Sequence, residues 1–243
     1  MTLNIVATAH GTNSSQGQQT IDAIRQRLQE RLNLRLGPVC NVYEAYVDVQ
    51  NPPLEEVVEF LPKTDQTILL PLLLSTGYHT QVDMKQAAVQ SGIEEIAIAG
   101  SLGPSLLLAR LLKQRLEEAG WTPGIPVVLA GAGSSRADGQ NDVMKQASAL
   151  MNELAQDVSF GFVADIEPTL EQAIHKAQAE GTVYVANYLM GEGHFNTKAQ
   201  ETARELGAVM TQPLAVVGDQ RAIEVLVDCA LDSIDRVELM HEV

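Results

Sequence analysis

The amino-acid sequence predicts an α/β protein built as two tandem doubly wound α/β units with parallel sheets. Three observations carry that prediction: apolar runs of strand length alternate with helical stretches along the chain, the alternation occurs twice, and the composition suits a large aliphatic core. Of 243 residues, 45% are hydrophobic, 19% charged and 4% aromatic, which excludes a disordered chain.

The repetition decides the architecture. Residues 5–18, IVATAHGTNSSQGQ, resemble residues 127–140, VVLAGAGSSRADGQ, at an offset of 122. Each is an apolar strand that runs through a polar, Gly-containing turn into a helix. Residues 46–58, YVDVQNPPLEEVV, lie over 162–174, FVADIEPTLEQAI, at an offset of 116, with Pro52 on Pro168 and Leu54 on Leu170. Residues 71–79, PLLLSTGYH, lie over 187–195, NYLMGEGHF, at the same offset, with Gly77 on Gly193. Three matches in one order give two copies, 1–121 and 122–243, joined near WTPGIP at 121–126, where Pro and Gly cluster.

In the first copy, strands are predicted near 3–9, 39–47, 66–74 and 95–99, with helices near 16–34, 53–61, 80–91 and 103–119. Several strands are continuous apolar runs, of which ILLPLLL at 68–74 is the longest; this is the pattern of strands covered on both faces, hence of parallel sheets. The second copy repeats the order, with strands near 126–131, 158–163, 182–189 and 208–210 and helices near 139–155, 168–179, 196–206 and 219–235. Right-handed crossovers then place ligands beyond the carboxyl ends of the strands.

Charge and motifs exclude several classes. With 16 Lys and Arg against 31 Asp and Glu the net charge is −15, and the densest basic stretch, Arg25 to Arg35, is interrupted by Glu30, so no nucleic-acid partner is expected. No stretch approaches the ~20 apolar residues that cross a bilayer, so no membrane partner is expected. MTLNIVATAHG lacks a basic segment and a long apolar one, and reads as a strand and not as a signal peptide. Cys40 and Cys229 sit in apolar contexts without a pairing pattern and read as buried thiols of a cytoplasmic protein. GxGxxG, GxxxxGK[ST], GxSxG and CxxC are all absent, which removes support for dinucleotide, P-loop and hydrolase-elbow readings.

Candidate chemistry falls at strand ends. His10 ends the first strand, Glu44 lies near the end of the second and His79 follows the third, so parallel strands would deliver all three to one rim. Two imidazoles and a carboxylate suit a divalent transition metal or general-base work near neutral pH. Each could equally be a hydrogen-bonded cap or a paired surface charge. The second copy has Ala132, Phe160 and Phe195 at these positions, so the fold does not need polar groups there. The loop GTNSSQG at 11–17, with Thr12, Ser14 and Ser15, reads either as an anion-binding turn or as a helix cap. Glu192 and His194 form a second pair, read as unable to hold a metal because their neighbours are apolar.

The motifs AHGTNSSQG with His10, VYEAYVDVQNPPLEE with Glu44 and Pro52, and PLLLSTGYHTQVD with His79 resemble those of the class II chelatases of the sirohydrochlorin, CbiX and SirB type, in the long two-repeat form. The resemblance implies a lyase that inserts cobalt or ferrous iron, as substrate, into a tetrapyrrole in sirohaem or cobalamin synthesis, with no organic cofactor. It implies that His10, Glu44 and His79 hold the metal and deprotonate the pyrroles. Thr12, Ser14, Ser15, Ser75, Thr76 and Gly77 are expected to contact the substrate, and Ser14, Ser15, Lys85 or Arg136 to meet its carboxylates. It further implies a monomer with two pseudo-symmetric halves, the degenerate second half forming a wall of the cleft. The competing reading is a flavodoxin-like carrier or a metallochaperone. A flavin would need flanking aromatics, and the single Trp, Trp121, falls at the join.

Overall fold

The computed structural model describes residues 2–77 and 82–241. The first half of the chain runs β1 (Leu3–Ala9), α1 (Ser15–Leu36), β2 (Cys40–Tyr46), α2 (Leu54–Phe60), β3 (Gln66–Pro71), α3 (Met84–Ser91), β4 (Ile96–Ile98) and α4 (Leu106–Glu118). The second runs β5 (Val127–Gly131), α5 (Ala137–Leu154), β6 (Val158–Phe162), α6 (Leu170–Ala177), β7 (Tyr184–Tyr188), α7 (His194–Glu205), β8 (Val209–Met210) and α8 (Gln220–His241). Two four-stranded parallel sheets result, in the orders β2-β1-β3-β4 and β6-β5-β7-β8. The predicted fold class is the observed one.

The apolar runs explain the layering. In β1 every residue from Asn4 to Ala9 is buried, because the strand is central and covered on both faces. Val6, Ala45 and Leu69 pack against Leu54 and Val58 of α2 and Met84 of α3, while α1 buries Ile24, Leu28 and Leu32. The second sheet repeats this, with Val128, Ala130 and Val185 against Leu170 and Ile174 of α6 and Ala199 of α7.

The compact units do not coincide with the sequence halves 1–121 and 122–243. One unit comprises 1–102 with 223–243 and the other 103–222, so α4 is counted with the second sheet and most of α8 with the first. Polar anchors hold each helix there. Arg115, buried on α4, donates Nη2 to the Leu214 carbonyl at 2.9 Å and pairs with Asp219. On α8, Glu224 meets Arg27 and Arg31, Asp228 meets Arg31 at 3.0 Å and Asp235 meets Arg35, all from α1. Ser233 donates to the Gly100 carbonyl at 2.7 Å. Half-exposed ion pairs contribute ~0–1 kcal/mol each, so their main effect is to set the register of helix on helix.

Trp121 is buried, and its indole N–H donates to the Ile125 carbonyl at 2.9 Å. It closes the turn at the join between the copies. Cys40 and Cys229 are buried free thiols. Among the described residues, no helix is long and apolar enough to cross a membrane.

Candidate functional site

The site begins where β1 ends. β1 and β2 run in register from Leu3 beside Cys40 to Ala9 beside Tyr46, and the ladder continues past both strands: Val47 donates to the Ala9 carbonyl and Asp48 to the His10 carbonyl, each at 3.1 Å. The acidic residue whose backbone adjoins His10 is therefore Asp48. Both residues are exposed at the rim. Between His10 and the next turn the chain needs Gly11, whose φ is +96° and whose hypothetical Cβ would lie 2.3 Å from the Asp48 carbonyl oxygen. Beyond Asp48 the chain turns back sharply, Gln50 N–H donating to the Asp48 carbonyl at 2.6 Å. The Asp48 carboxylate accepts the Val49 N–H at 2.8 Å, and the Gln50 side-chain oxygen accepts the Thr12 N–H at 2.8 Å.

Glu44 stands on β2, two residues before its end. It pairs with Ala7, three residues before His10, which is roughly 10 Å upstream at ~3.3 Å per residue. Its side chain, 47% exposed, accepts the Tyr46 hydroxyl at 2.6 Å and stands 3.7 Å from Arg25. Arg25 reaches from α1, only 6% exposed, and donates to the carbonyls of Ala7 and Ala45 at 3.1 Å and to the Tyr46 hydroxyl at 2.9 Å. Its guanidinium carbon lies 4.6 Å from the Tyr46 ring centroid, a cation–π contact. Burial, and then the Glu44 carboxylate, push the Tyr46 phenol above its usual range, so it remains protonated and donates. This network fastens α1 to the edge strand β2.

The second copy supplies an internal control. At the positions of Arg25, Glu44 and Tyr46 it carries Ala147, Phe160 and Phe162, whose two rings pack edge to face with centroids 5.7 Å apart. A polar network has been exchanged as a whole for apolar packing, so the missing carboxylate at Phe160 follows from packing. Glu44→Gln keeps an oxygen for Tyr46 and loses the attraction to Arg25. The expected result is a stability change of at most ~1 kcal/mol and a turnover change under about threefold, equivalent to less than ~0.7 kcal/mol of barrier. Steady-state rates and a thermal melt read both, and a loss of about 100-fold with an unchanged melt would give Glu44 a place in the chemistry.

At the rim itself the second copy keeps the backbone and changes the side chains. Val163 donates to the Gly131 carbonyl and Ala164 to the Ala132 carbonyl, each at 2.9 Å, and Ile166 donates to Ala164 at 2.8 Å. Gly133 has φ +101°. His10 and Asp48 are replaced together, by Ala132 and Ala164. The loop bonds survive in both copies: Ser14 N–H to Thr12 Oγ1 at 3.1 Å matches Arg136 N–H to Ser134 Oγ at 3.2 Å, and the Gln18 and Gln140 amides both reach back to a loop carbonyl. Thr12 thus builds the loop in the first copy, as Ser134 does in the second. Ser14 is the N-cap of α1, accepting the Gly17 N–H at 3.2 Å.

Of the other sequence candidates, Ser15 is exposed at the start of α1, and Ser75, Thr76 and Gly77 are half-buried in the segment after β3. Lys85 is exposed on α3, and Arg136 is paired with Asp138 at 3.2 Å. His79 lies outside the described residues. His194 opens α7, and Glu192 accepts from the buried Asn196 amide at 2.6 Å, which accepts in turn from Asn187 at 2.7 Å. Among the described residues, no three His, Cys, Asp or Glu side chains are grouped to hold a metal ion.

The CbiX family model matches residues 4–119 and again 126–232. Comparison with curated protein sequences finds no match. Among solved structures, the fold is similar to that of the sirohydrochlorin chelatase SirB from Bacillus subtilis subspecies spizizenii in complex with cobalt, with 18% identity, a TM-score of 0.76, and coverage of 97% of this chain and 94% of that one. It is similar to SirB from Bacillus subtilis with Fe3+, with 18% identity, a TM-score of 0.78 and 98% of each chain covered. It is also similar to CbiX, the terminal enzyme for biosynthesis of siroheme in denitrifying bacteria, with 16% identity, a TM-score of 0.66, and coverage of 96% of this chain and 99% of that one.

Proposed function

The chain belongs to the CbiX family, and on that premise we propose that it is a sirohydrochlorin chelatase, inserting Co2+ or Fe2+ into the macrocycle for sirohaem or cobalamin synthesis. The observation that carries the reading is the joint fate of His10 and Asp48. They are backbone neighbours at the carboxyl rim of the first sheet, where such folds place their ligands, and both become Ala in the copy that retains the same backbone bonds.

Insertion must strip water from a divalent cation and remove two pyrrole protons. The His10 imidazole is a ligand of intermediate softness and a base near neutral pH; the Asp48 carboxylate is a harder ligand that draws the cation to the rim and lets it leave. His79 joins them in this proposal through its place after β3, whereas Glu44 supports α1 through Tyr46 and Arg25. Ser15, Ser75, Thr76 and Gly77 are the proposed substrate contacts, with Thr12 and Ser14 contributing through the loop they shape. The metal enters as substrate, and no organic cofactor takes part. Two buried thiols fit a reducing, cytoplasmic setting, and one chain supplies both units.

The test is anaerobic absorbance of purified protein with sirohydrochlorin and Co2+ or Fe2+. The macrocycle bands are expected to shift to those of the metallated product at a rate proportional to protein. A rate no greater than that of the protein-free mixture, with both metals, refutes the assignment.

A further inference from the structure

We infer that Gln50 is a positioning residue for His10, held in place by a strained turn at Val49. The inference rests on the chelatase reading of this rim. Asp48–Val49–Gln50 and Ala164–Asp165–Ile166 occupy the same place in the two copies, and in both the third residue donates back to the first, at 2.6 and 2.8 Å. Such three-residue turns come in two hands, a relaxed one with negative φ at the centre and a rare, strained one with positive φ. Among the described residues, Val49 at φ +60° and Ala155 are the non-glycine residues with positive φ. Asp165 therefore has the relaxed hand. A β-branched residue tolerates the strained one worst. The strain is present in the copy that keeps His10 and absent from the copy that lost it.

The third residue of each turn meets a different neighbour. In the first copy the Gln50 side-chain oxygen accepts the Thr12 N–H at 2.8 Å. In the second copy the counterpart, Ile166, cannot accept a hydrogen bond through its side chain, and its Cδ1 lies 3.5 Å from where a Cβ on Gly133 would stand. The backbone around His10 is thus held at its own carbonyl by Asp48 N–H at 3.1 Å and, two residues on, by Gln50. Between the anchors lies Gly11, the residue with the widest backbone freedom. Without the Gln50 clamp that freedom reaches the His10 backbone that carries the imidazole, and a displacement of ~1 Å at a reacting group can cost about 100-fold in rate. Strain of this kind persists only where the surroundings over-determine it.

Gln50→Ile, which installs the residue of the second copy, tests this in the full-length protein. Its kcat for Co2+ insertion is expected to fall about tenfold, with the sirohydrochlorin KM unchanged within twofold and the melting midpoint within ~4 °C, the shift that one lost hydrogen bond gives in a chain of this size. Gln50→Glu retains an oxygen for the Thr12 N–H and is expected to recover most of the lost kcat. An unchanged kcat in Gln50→Ile overturns the inference, as does a loss that tracks the melting midpoint and is not recovered in Gln50→Glu. Failure of the unmodified protein to insert either metal overturns the chelatase reading itself, and is observed before any variant is made.

Discussion

His10→Ala is expected to reduce metal insertion by at least about 100-fold, the lower end of what loss of a positioned acid–base group costs, while the fold survives. Two features make the separation of activity from stability sharp. The side chain is exposed at the rim, so its removal leaves no core cavity and should change stability by no more than ~0.5 kcal/mol. The second copy, moreover, carries Ala132 there with its ladder bonds intact, so alanine is compatible with this backbone. Asp48→Ala reproduces Ala164 in the same way and should cost at least about tenfold, as expected when a charged ligand to a divalent cation is lost. If the two act on one ion, the double variant will be little slower than His10→Ala alone, because groups working as a unit are not additive. Turnover under anaerobic conditions and circular-dichroism melts decide it; retention of more than about a tenth of turnover in His10→Ala would remove His10 from the chemistry.

The elements of this fold were legible in the sequence because its strands are continuous apolar runs bounded by Pro, Gly and polar turns, and because each element occurs twice. Register was less so. Glu44 reads as a residue near the end of a strand at 39–47; β2 ends at Tyr46 and pairs Glu44 with Ala7, and its carboxylate accepts the Tyr46 hydroxyl, a partner that no periodicity reveals. The difference at Asp48 is visible in the repeat itself, since the offset that lays Pro52 on Pro168 also lays Asp48 on Ala164. The exchange of α4 and α8 between units was hidden for a different reason: a repeat boundary marks where a copy ends in the chain and says nothing of the sheet on which its last helix packs. The trace it leaves is charge spacing. Arg27 and Arg31 are four apart on α1, as Glu224 and Asp228 are on α8, so each set presents one face of a helix to the other.

Arg25→Ala is expected to destabilise the protein by roughly 3 kcal/mol, since it removes a buried guanidinium whose charge-assisted bonds are worth ~1.5–3 kcal/mol apiece at most and leaves polar groups around an unfilled space. The groups affected are the carbonyls of Ala7 and Ala45 and the Tyr46 hydroxyl, and the two carbonyls cannot move far, because the strands fix them. The second copy indicates how the loss can be reversed. Combining Arg25→Ala with Glu44→Phe and Tyr46→Phe rebuilds the arrangement of Ala147, Phe160 and Phe162, in which two packed rings replace the carboxylate and the phenol. Replacing a buried ionic network by apolar groups of similar volume is often neutral or stabilising, so the triple variant should recover at least half of the loss, read from denaturant midpoints of the three proteins. It also contains no Glu44, while His10, Asp48 and Gln50 are untouched. Metal insertion by a folded triple variant at a rate within about threefold of the unmodified protein, under ~0.7 kcal/mol of barrier, would therefore separate the support of α1 from the chemistry of the rim. A triple variant as stable as expected but inactive would return Glu44 to the reaction, because no other acidic group has been removed.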